Sequence, residues 1–127
     1  MTLHDMVHHA AGVFSERTAV IFDECNNKPP VFYTYKAVVN LAMELTVFLQ
    51  RHCDLTEKCE VGLYCYPGLH LPSWILGILC VPAAYSPLDP DAPPVLSTYF
   101  MKKCDLHYVL VERDKVDVSV ESSTSSF

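Results

Sequence analysis

The sequence predicts an α/β fold, with helices packed on a mostly parallel sheet, and three observations predict it. In the second half of the chain, strand-like and helix-like segments alternate as strand, helix, strand, helix, strand, an order that sets strands side by side in parallel with helices on their faces. Half of the 127 residues are hydrophobic and only 19% are charged, so the chain must bury a core to offset its conformational entropy. Thirdly, with His70 neutral, no residue carries a formal charge over the 28 positions from Val61 to Leu88. So long an uncharged run belongs in a membrane or in a protein interior. Pro67, Gly68, Pro72, Pro82 and Pro87 divide it, and its longest unbroken apolar segment, Trp74 to Val81, has eight residues. A spanning helix needs about 20, and proline removes a backbone donor and clashes with the preceding turn. The run is therefore read as buried, with no membrane partner.

The elements follow in order. Thr2 precedes Leu3, Met6, Val7, Ala10, Ala11 and Phe14 at helical spacing, and Asp5 stands where a capping box needs an acceptor. Ala19 to Phe22 and Val31 to Tyr35 are β-branched and aromatic, and the turn formers Cys25 to Pro30 between them make a hairpin. Val38, Leu41, Ala42, Leu45, Phe48 and Leu49 then fall on one helical face. Val61 to Tyr66 reads as a buried strand, Leu71 to Val81 as a helix and Ala84 to Pro87 as a short strand. After the Asp89 to Pro94 turn a helix runs to Cys104, with prolines suited to its first turn. His107 to Val111 is a further apolar strand. From Asp114 the period is lost, and residues 114–127 read as a disordered serine-rich tail.

Charge and cysteine content exclude several classes. Nine Lys and Arg against fifteen Asp and Glu give a net charge of −6, and no basic cluster exceeds Lys102-Lys103. A nucleic-acid binder needs a basic stripe to displace phosphate counterions, so no nucleic-acid partner is expected. The first sixteen residues hold no Lys or Arg and no long apolar core, unlike a secretory signal. An intracellular, cytoplasmic product is expected. Reduced thiols are then the default for Cys25, Cys53, Cys59, Cys65, Cys80 and Cys104. Spacings of six between Cys53, Cys59 and Cys65 do not suit a zinc knuckle.

Two constellations carry chemistry worth testing. His4 and His8 stand at the i, i+4 spacing that can aim two imidazoles at one ion, but Asp5 replaces the glutamate of a zincin helix and no third ligand is evident. Asp89 and Asp91 form a carboxylate pair, although acids before a proline-opened helix ordinarily serve as caps. No G-x-S-x-G elbow is present, and Gly12, Gly62, Gly68 and Gly77 cannot be written into either common phosphate-binding loop. The residues alone thus describe an α/β segment to which no catalytic, cofactor-binding or metal-ligating residue is assigned.

One segment adds to this. Ile78-Leu79-Cys80-Val81-Pro82-Ala83-Ala84-Tyr85-Ser86-Pro87-Leu88-Asp89-Pro90 resembles the L-x-A-G-x-A-Y-V-P-I-D-P core motif of adenylate-forming enzymes, the superfamily of acyl-CoA synthetases and nonribosomal-peptide adenylation domains. Upstream, Tyr33-Thr34-Tyr35-Lys36-Ala37-Val38 resembles that family's L-[TS]-Y-x-E-L motif at the expected distance. Phe22 to Asn27, Leu71 to Leu79 and Phe100 to Cys104 are similar to the amino-terminal stretch of a vertebrate member. The resemblance runs from Met1 to about Arg113. Ala37 departs from the usual Glu, which removes one half of the Thr34 capping box, about 1 kcal/mol at most. Val81-Pro82 replaces Ala-Gly, and Val95-Leu96 replaces a common Glu-Arg.

The resemblance implies that residues 1–113 are a partial amino-terminal AMP-binding (adenylation) domain, an incomplete part of the large domain. It implies for the intact enzyme a two-step acid–thiol ligation. A small carboxylate such as beta-alanine attacks the α-phosphorus of ATP, releasing pyrophosphate, and a phosphopantetheine thiol then displaces AMP. ATP, Mg2+ and a carrier protein's phosphopantetheine are implied for the intact enzyme, none of them held by this chain alone. The family's phosphate loop and its later acidic, aromatic and lysine positions lie beyond the segment represented. A truncated, non-catalytic scaffold whose partner is the rest of the adenylation domain is therefore expected. The alternatives are a non-enzymatic interaction piece and a small α/β binding domain.

Overall fold

A computed structural model describes residues 2–53, 60–112 and 118–122. The chain divides into two compact units, one made of Met1–His52 with Pro67–Val81, the other of Cys53–Tyr66 with Pro82–Phe127.

The first unit holds three helices and a hairpin. Helix α1 (Leu3–Val13) starts from the capping box that its sequence predicts: the Asp5 N–H donates to Thr2 Oγ1 at 3.2 Å, and the Thr2 N–H donates to Asp5 Oδ2 at 3.2 Å. Strands β1 (Thr18–Phe22) and β2 (Val31–Thr34) pair antiparallel, with Ile21 opposite Phe32 and Val20 opposite Tyr33. Tyr35, read as the last strand residue, instead opens α2 (Tyr35–His52). Thr34 makes that switch by accepting the Ala37 N–H at 3.1 Å, the half of the capping box that survives without Glu at position 37. Helix α3 (Leu71–Leu79) ends two residues earlier than the apolar run suggests, because Pro82 disfavours helical geometry in the residue before it.

Helices α2 and α3 pack closely at Gly77. A Cβ built there would lie 2.8 Å from the Ala42 carbonyl oxygen and 3.0 Å from Leu45 Cβ. The buried Thr46 hydroxyl fastens the crossing, lying 2.8 Å from the Gly77 carbonyl oxygen and 3.0 Å from that of Ala42. Val38, Ala42 and Leu76 form the core here, flanked by Val7, Ala19, Val20 and Tyr33.

Among the described residues, the second unit holds a four-stranded sheet and one helix. Strands β3 (Glu60–Tyr64), β4 (Ala84–Leu88) and β5 (Tyr108–Glu112) run parallel in the order β4-β3-β5. Helix α4 (Pro94–Lys103) connects β4 to β5 and places Met101 against Leu88, Leu106 and Val109. It closes in a Schellman arrangement. The Leu106 N–H donates to the Met101 carbonyl and the Asp105 N–H to that of Lys102, with Asp105 at φ 52°. The parallel α/β architecture read from the sequence is thus present.

One expectation needs correcting. Within the stretch read as a disordered tail, Val118–Ser122 forms β6, antiparallel to β5, with Leu110 opposite Val120. The free edge of β5 offers a row of unpaired backbone groups, and a segment with Val at alternate positions suits pairing there; a short window with no helical period concealed it. Residues 114–117 and 123–127 lie outside the described residues. Among the described residues, no helix is long and apolar enough to cross a membrane.

Candidate functional site

In open parallel sheets the crevice beyond the carboxyl ends of the strands is where ligands bind. Here that edge gathers Tyr64 ending β3 with Cys65 and Tyr66 after it, Asp89, Pro90 and Asp91 after β4, and Glu112 ending β5. These residues are tied to one another. The Asp91 N–H donates to Asp89 Oδ1 at 2.9 Å, closing a local turn. The Tyr66 hydroxyl donates to Asp91 Oδ1 at 2.6 Å, and the Tyr64 hydroxyl donates to the Pro90 carbonyl oxygen at 3.3 Å. Donation to Asp91, helped by some burial and the nearby acidic groups, pushes the Tyr66 phenol above its usual range. The carboxylate pair singled out in the sequence therefore shapes the turn that leads into α4. The two tyrosines that clasp it went unread, since a hydroxyl partner about 25 residues away leaves no local signal.

Cys65 lies at the same edge. Burial, and secondarily the charge of Glu112, push its thiol up to about 11, so it is not a ready nucleophile at neutral pH. Burial also raises the thiols of Cys53 and Cys80. Cys25 and Cys104 are exposed, and Cys59 lies outside the described residues.

The histidine pair does not converge on an ion. His8 Nδ1 donates to the His4 carbonyl oxygen at 2.7 Å, and its Nε2 lies 3.3 Å from Met43 Sδ. Both ring nitrogens of His8 thus face groups on α1 and α2. Among the described residues, no group of three or more His, Cys, Asp or Glu side chains could hold a metal ion. A second polar cluster occurs where α3 begins. His70 packs between Tyr33 and Trp74, with ring centroids 5.5 and 5.8 Å away. His70 Nδ1 and Ser73 Oγ are buried there without a hydrogen-bond partner.

The described glycines form no glycine-rich phosphate loop. Gly12, Gly62 and Gly77 sit inside α1, β3 and α3, where each has ordinary backbone geometry, and among described residues no glycine has positive φ.

Comparison with known proteins places these features in context. A family model described as AMP-binding enzyme matches residues 7–126, running past Arg113. The chain is 62% identical over 117 residues to the human beta-alanine-activating enzyme, a match covering 92% of this chain and 11% of that protein. It spans about a tenth of the length of the human, mouse and zebrafish beta-alanine-activating enzymes that it matches. Among solved structures, the fatty acid AMP ligase from Legionella pneumophila superposes with a TM-score of 0.75 at 22% identity, covering 85% of this chain and 19% of the ligase. The N-terminal subdomain of Klebsiella oxytoca NpsA superposes with a TM-score of 0.75 at 18% identity, covering 98% of this chain and 30% of that subdomain. At such identities the structural likeness speaks for the fold.

Proposed function

The chain belongs to the family of AMP-binding enzymes, and we propose from that premise that it supplies the amino-terminal part of the large domain of an ATP-dependent acid–thiol ligase. The observation that carries the reading is the 62% identity over nearly the whole chain to the human beta-alanine-activating enzyme. In the intact protein, a small carboxylate of the beta-alanine type becomes an acyl-adenylate with release of pyrophosphate. A carrier's phosphopantetheine thiol then takes the acyl group and AMP leaves. Chemistry that consumes ATP and needs a free thiol suits a reducing, cytoplasmic setting.

This chain's own part is structural. Its partner is the rest of the adenylation domain, and alone it does not catalyse. One observation supports that: the polar residues at the strand ends are engaged in holding the turn before α4. The scaffold spans at least residues 1–113, and the pairing of β6 with β5 favours including Val118–Ser122.

The test is ATP–pyrophosphate exchange on the purified chain with beta-alanine and Mg2+. No exchange above a buffer control is expected. Exchange that depends on beta-alanine would overturn the scaffold reading.

A further inference from the structure

His8 on α1 and Met43 on α2 meet inside one compact unit. His8 Nδ1 lies 2.7 Å from the His4 carbonyl oxygen. A carbonyl only accepts, so Nδ1 carries the proton, and in the neutral ring Nε2 is left with a bare lone pair. That lone pair faces Met43 Sδ at 3.3 Å. A thioether has no proton to offer, so no hydrogen bond joins the two atoms. An electron-pair donor is thus held in contact with the sulfur. Met43 is 39% exposed, which leaves a small oxidant free to approach from solvent.

We propose that Met43 is a methionine-oxidation site whose reactivity is set by His8. With hydrogen peroxide as the oxidant, the sulfur attacks one peroxide oxygen, the O–O bond breaks and hydroxide leaves. The S–OH cation then gives its proton to that hydroxide. The products are the sulfoxide and water, the sulfur having lost two electrons to the peroxide. Positive charge develops on sulfur along this path, and the Nε2 lone pair facing it stabilises that charge without being consumed. The consequence falls on α1, which holds no fully buried residue and reaches the core of its unit through partly buried Val7. A sulfoxide oxygen only accepts hydrogen bonds, as bare Nε2 does, so a polar S=O group between the helices loosens a contact that the thioether tolerates. Methionine sulfoxide reductases reverse the change.

The experiment follows each methionine of the 127-residue chain by peptide mapping under excess hydrogen peroxide. Met6, 56% exposed on α1, is the accessible reference, and Met101, 5% exposed, is the buried one. Met43 is expected to oxidise at least about threefold faster than Met6 in spite of its lower exposure, and Met101 roughly tenfold slower than Met6. His8→Ala separates the lone pair from access, because it uncovers the sulfur while removing the imidazole. Exposure alone would then speed Met43, whereas the proposal expects about threefold slowing, with Met101 still protected as the sign that the variant is folded. The Met43-to-Met6 ratio of the parent stands whether or not the variant folds. Met43 no faster than Met6 in the parent, or unslowed in folded His8→Ala, overturns the proposal. Amide hydrogen exchange across α1 reads the consequence: faster exchange in the oxidised chain is expected, and unchanged exchange overturns the loosening of α1.

Discussion

Replacing Gly77 by alanine isolates what the α2–α3 crossing demands. In an exposed helix interior this exchange stabilises by about 1 kcal/mol, because glycine loses more backbone freedom on folding. At Gly77 the new Cβ would stand 2.8 Å from the Ala42 carbonyl oxygen and 3.0 Å from both Cβ and Cδ2 of Leu45. The carbonyl is backbone and can yield only if the helices separate. Overpacking of this kind costs roughly 1–3 kcal/mol, and separation also stretches the 2.8 Å contact between Thr46 Oγ1 and the Gly77 carbonyl, itself worth about 1 kcal/mol. Against the propensity gain, the expected net loss is about 1–2 kcal/mol. Gly12 supplies the control, since a Cβ there meets nothing within 4 Å and Gly12→Ala should gain up to about 1 kcal/mol. Urea titration followed at 222 nm reads both. With a slope of about 1–2 kcal/mol per molar for so small a chain, the Gly77→Ala midpoint falls by roughly 1 M while the Gly12→Ala midpoint rises. A Gly77→Ala midpoint at or above the parent's would refute the close-packing argument.

Asp105 closes α4 in the left-handed region at φ 52°, so Asp105→Gly should raise stability by about 0.5–1 kcal/mol in the same titration; a fall would mean that the side chain matters more than the backbone. Hydrogen bonds from Thr2, its side chain first and its backbone N–H second, hold the Asp5 carboxyl below the usual 3.8. A depressed carboxylate contributes stability above its unfolded value and loses it as pH falls through the folded one. The first turn of α1 should therefore fray only below about pH 4, visible as loss of the Asp5 amide shift, and Asp5→Asn should abolish that pH dependence. Among thiols, iodoacetamide at pH 8 should modify exposed Cys25 and Cys104 well before Cys65, whose thiol stands near 11; peptide mapping showing Cys65 labelled as fast would contradict its burial. Glu112→Gln should speed Cys65 labelling modestly, since Glu112 is only the second cause of the shift.

The sequence by itself determined the kind and order of most elements, because helix and strand periods, caps and prolines act within a few residues. Thr2 with Asp5 begins α1 where the chain says it begins, whereas Thr34, accepting the Ala37 N–H, opens α2 at a residue that read as strand. The motifs around Thr34 and Tyr85 also carried the resemblance to the family, and in this chain they lie at the start of α2 and in β4. Tertiary structure decided whatever depends on partners distant in the chain. The Tyr66–Asp91 clasp spans about 25 residues, and the Thr46–Gly77 fastening spans 31. His8 is engaged with the backbone of His4 and with Met43 on another helix rather than with an ion. The pairing of Val118–Ser122 was invisible until β5 presented an edge to receive it. A backbone donor has no local preference among such acceptors, and only the assembled sheet brings one within reach.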